Sequence, residues 1–429
     1  MRKLIRATAG ALAITVVMAG CSSTSSSGGG SGSADASFED MAQSAAESLK
    51  GEPVKIGLLA PLSGPVAVLG KEMPAGANLG AAWINDHGGV DGRPVEIVSI
   101  DTQADPKVAV SAVRKLSDQG VRIFIGTISS SEALAVMDEV ERQDAVFVAT
   151  GPHAMEMTHE QFSSNTFRVT DNAHMRQFAE AAYIAKNFPD LKDWGAIFPS
   201  NALGESGLAA FEAGMKKFGS GDEELVAKTL APFGAANFRN TLSQTIGENP
   251  KVVMSAVYGA DAVTMYQQGI SSRFFESLDA FVDNANEWQV ARVLKEKMPT
   301  VIQAFHWAPQ AFDNEMSTYL ADSYEQKVKE LPSGFSSEPF AGVLAVAEGL
   351  KKAGGADADT QALIESLEGL TFDSPTGKRT IRAEDHQAIK DVVFGVISAD
   401  PGSEQGWKVS DFEVIPGKDL MDEPTPGKK

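Results

Sequence analysis

The chain has 429 residues, of which 43% are hydrophobic and 22% are charged. This composition is typical of a globular protein, and the length is too great for one ordinary domain. The formal net charge of −20 argues against a nucleic acid as partner, because domains that bind nucleic acids are basic. The acidic residues are spread along the chain, so they predict solvated faces rather than a site for one cationic partner.

The first twenty residues have the pattern of a secretory signal peptide. Arg2, Lys3 and Arg6 precede an apolar stretch at 7–19 that is too short to span a bilayer comfortably. The single cysteine, Cys21, excludes an intrachain disulfide and a cysteine-based zinc site. The sequence V-M-A-G-C around it resembles a bacterial lipobox, which implies cleavage before Cys21 and lipidation of its thiol. An ordinary signal peptide that happens to contain a cysteine is the alternative.

A tether is predicted between the signal peptide and the folded body. Residues 22–37 are almost all Ser, Gly and Ala, a composition that cannot bury a core. Residues 38–49 have weak helical spacing and predict at most a short helix. The whole segment 21–52 is therefore expected to hold a folded body away from a membrane.

The first half of the folded body, from Pro53, alternates short apolar runs with helical patterns. Strands are predicted at 54–60 and 95–101, and two more begin near Arg122 and Ala145. Asp105 is expected to cap a helix whose first residue is Pro106. The β-α order predicts a parallel sheet with right-handed crossovers.

A second α/β series follows a crossing segment at 167–172. Its predicted strands are 194–198, 225–229, 252–257, 280–282 and 301–307, and its predicted helices are 173–187, 203–218, 237–246, 261–269 and 287–297. Two or three further helices and a β-rich tail complete the chain. The fold class is therefore α/β, with two Rossmann-like lobes.

Two loops in the first half carry polar residues directly after neighbouring strands. In an open α/β sheet, ligands bind outside the carboxyl ends of the strands. The loops at 126–131 and 150–153 should therefore lie side by side and offer hydroxyls, an imidazole and backbone N–H groups. Such groups hold a small polar ligand, but they do not by themselves break a bond.

Motifs for catalysis or for metal and cofactor binding are missing from the sequence. H-E-x-x-H, G-x-x-x-x-G-K-[ST] and G-x-S-x-G do not occur, and the six histidines are scattered. The G-E-S-G stretch at 204–207 resembles a nucleophile turn only superficially. We therefore expect a protein that is not an enzyme and that holds neither a cofactor nor a metal.

Five segments in one order make the chain resemble a known family. They are K-I-G-L-L-A-P-L-S-G-P at 55–65, A-A-W-I-N-D-H-G-G-V-D-G-R-P at 81–94, D-T-Q-A-D-P-K-V-A-V at 101–110, G-T-I-S-S-S at 126–131 and A-T-G-P-H-A-M-E-M-T at 149–158. Behind a lipobox, this set is similar to the branched-chain amino acid and amide group of type 1 periplasmic solute-binding proteins. The resemblance spans roughly residues 54–415.

The resemblance implies two lobes joined by three hinge crossings, with the ligand clamped between them. Lobe 1 would comprise 53–169 and 304–372, lobe 2 would comprise 170–303 and 373–417, and 418–429 would be a disordered tail. Hinge closure would present the closed form to an ABC permease driven by an ATPase. The protein would be a monomer, lipid-anchored in the periplasm or on the outer face of the cell membrane.

In the first lobe, the resemblance assigns the ligand carboxylate to a serine hydroxyl and to backbone amides. Ser130 takes that position, with Ser129 and Ser131 beside it, although all three could simply cap the following helix. In the next loop, Gly151 would be a backbone partner and Thr150 a further contact. His153 stands where the amino-acid binders carry a threonine, and its alternative is a solvated loop residue.

In the second lobe, the resemblance assigns Tyr258 to ligand contact, with packing beneath the rim as its alternative. Asp283 lies near the position of the acidic residue that pairs with a ligand ammonium, unless it caps a helix. Leu69 and Leu203 stand where the amino-acid binders often have tyrosines. The more apolar pocket puts Leu, Ile or Val in doubt as the ligand and fits a larger apolar or aromatic acid equally well. Trp307 would either wall the cleft or pack in the hinge.

The function that these observations predict is the binding component of an ABC importer for a small carboxylate-bearing ligand. That ligand would be an amino acid, an amide, or an aromatic or aliphatic acid. The alternative is a ligand-sensing or partner-regulating lipoprotein with the same fold. A blocked cleft that responds to no ligand would favour a partner-regulating role.

Overall fold

The computed structural model describes residues 33–427, except for the side chains of 33–37, 202 and 203. The predicted signal peptide and Cys21 lie outside the described residues. Among the residues that are described, none of the helices is both long and apolar enough to cross a membrane.

The described chain alternates strands and helices in the predicted order. The strands are β1 Val54–Ala60, β2 Val95–Asp101, β3 Ile123–Gly126, β4 Val146–Ala149, β5 Thr166–Arg168, β6 Asp193–Pro199, β7 Glu224–Ala231, β8 Val252–Ser255, β9 Ala280–Asp283, β10 Val301–Phe305, β11 Thr371–Ser374, β12 Gly377–Ile381, β13 Ala388–Ile389, β14 Val392–Ala399 and β15 Trp407–Ile415. The helices are α1 Ser33–Ala46, α2 Ala67–Gly70, α3 Met73–Asp86, α4 Pro106–Ser117, α5 Ser130–Arg142, α6 Ala173–Asn187, α7 Ala202–Phe218, α8 Arg239–Gly247, α9 Ala260–Ser271, α10 Gln289–Leu294, α11 Glu315–Val328, α12 Gly334–Lys352 and α13 Thr360–Leu367.

The strands form two main sheets. The first has the order β2-β1-β3-β4-β5 and is parallel throughout. The second has the order β15-β14-β10-β9-β8-β6-β7, in which β14 runs antiparallel to both of its neighbours, β10 and β15, and all other neighbouring pairs are parallel. All four residues of β4 are buried, which is why this strand reads as a continuous apolar run rather than an alternating one.

Local sequence features explain where helix α4 begins. The carboxylate of Asp105 accepts hydrogen bonds from the N–H groups of Lys107 at 2.7 Å and Val108 at 3.1 Å. Pro106 follows as the first residue of α4, where its missing N–H costs nothing. The predicted cap of this helix is therefore confirmed.

A small antiparallel sheet, β11-β12-β13, packs with the first sheet. Phe372, Ile381 and Ala388 belong to the same buried cluster as the residues of β1 and α3. The predicted lobe boundary would have placed residues from 373 onward in the second lobe. The packing favours a later crossing, between β13 and β14, because these apolar side chains are buried against the first sheet.

The segment after residue 417 differs from the predicted disordered tail. Leu420 is fully buried, in the same cluster as residues of the second sheet. The carboxylate of Asp422 lies 2.8 Å from Nε2 of His159, and its carbonyl accepts from Nη1 of Arg382 at 2.7 Å. These contacts with residues far away in sequence hold the segment against the folded body, although its composition alone predicts a loop.

Glu139 provides a test of packing between α4 and α5. Its carboxylate is almost fully buried and accepts hydrogen bonds from Arg114 at 2.8 and 2.9 Å. These bonds lower the pKa of Glu139 to about 2. A carboxyl group with a depressed folded-state pKa stabilises the fold above its unfolded pKa, and this contribution is lost as the pH falls.

We expect Glu139→Gln to lower the free energy of unfolding at pH 7 by on the order of 1 kcal/mol, a modest value because Arg114 is more than half exposed. Urea unfolding should show the difference between the two proteins shrinking as the pH falls from about 5 towards 2. A difference that is the same at pH 7 and pH 2 would contradict this account of the pair.

Candidate functional site

A cavity of about 40 Å³ lies among loops that follow strands of both main sheets. Ile128 and Ser130 follow β3, while Gly151 and His153 follow β4. The carboxyl ends of parallel strands are where α/β folds bind ligands. The volume is room for roughly three water molecules, so a larger ligand needs the surrounding loops to separate.

Two glycines allow the loops of the first sheet to approach each other. Gly126 has φ +123°, and a Cβ there would lie 2.3 Å from the carbonyl oxygen of Leu59. A Cβ at Gly151 would lie 2.6 Å from the carbonyl oxygen of Thr127. A larger residue at Gly126 would push the end of β3 away from β1, and one at Gly151 would push the two loops apart. Because they lie close together, Oγ of Ser130 accepts a hydrogen bond from the N–H of Ala154 at 3.1 Å.

The opposite side of the cavity follows strands of the second sheet. Tyr258 lies after β8, and its hydroxyl oxygen accepts from Nδ2 of Asn201 at 3.3 Å. Burial raises the pKa of Tyr258 to about 12, so its hydroxyl keeps its hydrogen at neutral pH. Ala285 follows β9, and His306 follows β10.

Apolar side chains complete the lining. Leu69 in α2, Ile128 and Phe335 at the start of α12 all face the cavity, and each is at least nine-tenths buried. Together with Ala285 they form a hydrophobic wall beside the polar loops. A cavity with a few polar groups and an apolar remainder is the usual form of a small-molecule site.

Two histidines meet at the polar end of the cavity. Nε2 of His153 lies 3.1 Å from Nε2 of His306, and Nδ1 of His306 lies 2.7 Å from a carboxylate oxygen of Glu287. Burial lowers the pKa of His153 to about 3, and burial also lowers the pKa of His306 well below its ordinary value. Both rings are therefore neutral at pH 7, and the two facing Nε2 atoms share one hydrogen.

Glu287 is buried behind His306 and accepts backbone hydrogen bonds as well. The N–H groups of His306 and Gly334 donate to it at 2.9 and 2.5 Å. Burial nevertheless raises the pKa of Glu287 to about 8. At neutral pH the group formed by Glu287, His306 and His153 is thus mostly without net charge.

A buried cluster of charges lies directly behind the histidines. Asp171 pairs with Nε of Arg176 at 2.6 Å, and Glu338 pairs with the guanidinium of Arg379 at 2.6 and 3.0 Å. Nζ of Lys390 lies 3.3 Å from Asp171 and 3.4 Å from Glu338. Burial alone would raise the pKa of Asp171, but Arg176 and Lys390 lower it well below its ordinary value. Three cations therefore face two carboxylates, which leaves one positive charge in excess.

This end of the cavity also contains a group with the donors of a metal site. His153, Asp171 and His306 offer ligating atoms that lie within 4.8 Å of one another. Two imidazoles and a carboxylate suit several transition metals. However, Asp171 is already paired with Arg176 and Lys390, and both would repel a divalent ion. The arrangement suits an anion better than a metal cation, and the absence of a metal stays a prediction.

The cavity brings together part of the predicted ligand site. Among the described residues, its lining includes five of the predicted set: Leu69, Ser130, Gly151, His153 and Tyr258. Five described residues of the predicted set do not line it: Ser129, Ser131, Thr150, Asp283 and Trp307. Leu203 is the second residue of helix α7, but its side chain lies outside the described residues. The assignment of all these residues to ligand contact stays a prediction.

The residues outside the lining either bond to other protein groups or are buried. Oγ of Ser129 and Oγ of Ser131 lie 3.0 Å apart, so these hydroxyls bind each other. Thr150 is buried, and its hydroxyl has no hydrogen-bond partner among the described residues. Trp307 is fully buried in the core, and its Nε1 donates to Oγ of Ser317 at 3.0 Å. Trp307 therefore packs in the core cluster that includes residues of β1 and α3, and its role in the cleft or the hinge stays a prediction.

Asp283 occupies a different place from the predicted one. Its carboxylate is fully buried and accepts from the hydroxyl of Tyr266 at 2.8 Å and from Nδ2 of Asn286 at 3.0 and 3.1 Å. The N–H of Ala285 and Nε2 of Gln303 also donate to it, at 2.9 and 3.2 Å. Asp283 thus organises the loop after β9, close to its alternative role as a cap, while Ala285 reaches the cavity.

Four lining residues were missed by the sequence analysis: Ile128, Ala285, His306 and Phe335. His306 was missed because it lies inside the predicted strand 301–307. The structure ends β10 at Phe305, which places His306 at the carboxyl end of that strand, where ligands bind in α/β folds. The two histidines are separated by 152 intervening residues, so sequence proximity gives no sign of their contact. Ile128, Ala285 and Phe335 resemble ordinary core residues in sequence.

The two sides of the cleft are also joined away from the cavity. Glu72, which precedes α3, is buried and pairs with Arg292 of α10. Its carboxylate also accepts from Nε2 of Gln289 at 2.8 Å and from the N–H of Ser333 at 2.7 Å. Helix α3 packs in the core of the first sheet and α10 in that of the second. This contact therefore holds the two lobes together in a closed form.

Known proteins resemble this chain in sequence and in fold. A family model described as "Periplasmic binding protein" matches residues 53–402, which is well over half of the chain. The chain belongs to the periplasmic binding protein family. This membership confirms the predicted resemblance and implies an extracytoplasmic location.

Several relatives of this periplasmic binding protein have names or structures. A Pseudomonas aeruginosa protein named leucine-, isoleucine-, valine-, threonine-, and alanine-binding protein is 27% identical over 343 residues, covering 79% of this chain and 88% of the relative. A protein of the same name from Brucella ovis, solved in a closed conformation, has a TM-score of 0.76 at 21% identity, covering 88% of this chain and 99% of that one. A Rhodopseudomonas palustris solute-binding protein of an ABC transporter, solved with 3,4-dihydroxybenzoic acid, has a TM-score of 0.73 at 20% identity, covering 85% and 98%.

These likenesses confirm the α/β fold with two lobes. The Pseudomonas aeruginosa relative is named as a binding protein, and the Rhodopseudomonas palustris neighbour is described as the solute-binding protein of an ABC transporter.

The pair between Glu72 and Arg292 should control closure. With Arg292→Ala, the buried carboxylate of Glu72 loses its cation, a loss that costs about 3–5 kcal/mol when the site stays buried. Opening of the lobes would hydrate Glu72 instead. We therefore expect the closed-to-open ratio to fall at least tenfold, equivalent to about 1.4 kcal/mol.

Small-angle X-ray scattering of the purified ligand-free protein should detect this as a larger radius of gyration. Arg273→Ala is the matched control, because Arg273 is 82% exposed and lies 3.9 Å from the exposed Glu276. Identical scattering curves for the original protein and Arg292→Ala would show that this pair does not hold the closed form.

Proposed function

We propose that this periplasmic binding protein delivers a small carboxylate-bearing ligand to an ABC permease and its ATPase. The observation that carries the proposal is the cavity, because both sides of a hinged cleft contribute residues to it. A ligand held in this way stabilises the closed form, since it contacts both lobes at once. The permease would then recognise the closed form.

The polar loops support a carboxylate as the part of the ligand that is recognised. Oγ of Ser130 accepts from the N–H of Ala154, which leaves the serine hydrogen available to donate to a ligand oxygen. Ser130 is also the first residue of α5, where backbone N–H groups lack helical acceptors and favour negative charge. Hydrogen bonds to a charged carboxylate in a dry cleft are stronger than those between neutral groups.

The apolar lining supports a hydrophobic body for the same ligand. Leu69, Ile128 and Phe335 offer an aliphatic and aromatic surface next to the polar loops. The relative from Pseudomonas aeruginosa is named for leucine, isoleucine, valine, threonine and alanine, which supports a ligand of similar size. The candidates are therefore an amino acid of this kind, an amide, or an aliphatic or aromatic acid.

We assign the attachment of the protein to the membrane to Cys21. The support is its sequence context alone: a basic start, an apolar stretch and the lipobox-like V-M-A-G-C. The Ser- and Gly-rich segment after Cys21 would then serve as a tether that lets the binding body reach the permease.

Thermal unfolding in the presence of candidate ligands tests the proposal. The panel comprises aliphatic amino acids, amides, short carboxylates and aromatic acids. A ligand at about 100 times its dissociation constant should add about 2.7 kcal/mol to the free energy of unfolding, which is a clear rise in Tm. Ser130→Ala should weaken the binding of the active ligand by about 1–2 kcal/mol, because one hydrogen bond to its charged group is lost.

Ser111→Ala is the matched control, since Ser111 is exposed on α4 and donates only to the carbonyl of Lys107. An unchanged ligand affinity in Ser130→Ala would show that the ligand carboxylate does not bind to this loop. A panel in which no compound raises Tm would overturn the transport proposal and favour the partner-regulating alternative.

A further inference from the structure

We propose that the ligand is a carboxylic acid that carries no ammonium group, rather than an α-amino acid. This inference rests on the proposed function, in which the cavity takes a carboxylate. The inference narrows the ligand from any small acid to one that has an aliphatic or aromatic body, a negatively charged carboxylate and no positively charged group.

The first reason is the absence of an acidic side chain from the described lining of the cavity. The polar side chains there are those of Ser130, His153, Tyr258 and His306, and none of them carries a negative charge. On the loop after β9, the residue that reaches the cavity is Ala285. An ammonium group buried beside a methyl group has no anion to pair with, and an unpaired buried charge is strongly unfavourable.

The second reason is that the nearby carboxylates are already engaged. Asp283 is two residues before Ala285, and its oxygens accept from Tyr266, Asn286, Gln303 and the N–H of Ala285. Rotation of Asp283 towards the cavity would leave several buried donors without acceptors, each at a substantial cost. Pairing of Asp283 with a ligand ammonium would therefore be energetically unfavourable.

The third reason is the charge behind the histidines. Asp171 is paired with Arg176, and Glu338 is paired with Arg379, so Lys390 is the cation in excess. Nζ of Lys390 also donates to the carbonyl of His306, 3.1 Å away. A ligand anion in the cavity would be attracted by this buried cation, whereas a ligand with an added ammonium would gain no net attraction.

The hydrogen-bonding groups of the lining agree with this charge. Ser130 and Tyr258 each accept from a protein donor, so both keep a hydroxyl hydrogen to donate to a ligand. His153 has a second ring nitrogen besides the one that faces His306. The cavity thus offers donors to a carboxylate at its polar end and an alkyl or aryl surface elsewhere.

Matched pairs of ligands provide the test. L-Leucine and 4-methylpentanoate have the same carbon skeleton and differ in the α-ammonium group, and phenylglycine and phenylacetate form the equivalent aromatic pair. Isothermal titration calorimetry on the purified protein should show the acid of at least one pair binding at least tenfold more tightly than its amino-acid partner.

A substitution at Ala285 should reverse this preference. Ala285→Asp places a carboxylate at the cavity wall, so we expect it to weaken binding of the preferred acid at least tenfold and to improve binding of the matching amino acid. Ala236→Asp is the control for the added charge, because Ala236 is exposed on the second lobe and outside the cavity.

The outcomes separate this inference from the proposed function. Equal or tighter binding of the amino acid in both pairs would overturn the inference and leave the importer function in place. No heat of binding from any member of either pair, together with no response in the wider panel, would overturn both. Tighter binding of the acid, reversed in Ala285→Asp but not in Ala236→Asp, would establish the ligand class.

Discussion

The ionic cluster around Asp171 is the interaction on which the arrangement of the chain crossings between the lobes depends. Asp171 lies on the segment that leaves the first sheet after β5, and Lys390 lies on the segment between β13 and β14. His306 follows β10, and its Nε2 is 3.8 Å from Asp171, while its carbonyl accepts from Lys390. The three chain crossings between the lobes therefore meet at one buried set of charges. Removing one partner of such a pair costs several kcal/mol, so the ionic contacts fix the relative positions of the three crossings.

The same cluster sets the chemistry of the cavity. The charges at the hinge lie directly behind His306, so whatever stabilises the crossings also determines the potential that a ligand meets. Two neutral imidazoles separate the ligand space from the buried ions, and Glu287 holds His306 in place on its other side. Hinge and ligand site thus share residues, which couples occupancy of the cavity to the relative position of the lobes.

The candidate site could be predicted where a local rule applies. Ser130, Gly151 and His153 follow strands whose apolar runs stop abruptly, so the strand ends predicted these three positions, whereas Tyr258 was predicted from the family resemblance. His306 was missed because the predicted strand 301–307 included it, and its neighbour Trp307 was named instead. Which of two adjacent residues lines the cavity depends on the direction in which each side chain points. In a loop this direction follows no regular period, so the sequence does not predict it.

The sequence by itself determined the fold class, the order of strands and helices, the capped start of α4 and the family resemblance. Each of these depends on periodicity or on residues close together in the chain, where apolar runs and cap residues have direct physical consequences. Only the tertiary structure decided that Ala285 rather than Asp283 reaches the cavity and that His153 meets His306. It also decided that residues 418–427 are held against the body. These features depend on contacts across long stretches of chain, and closure over such distances leaves no local pattern in the sequence.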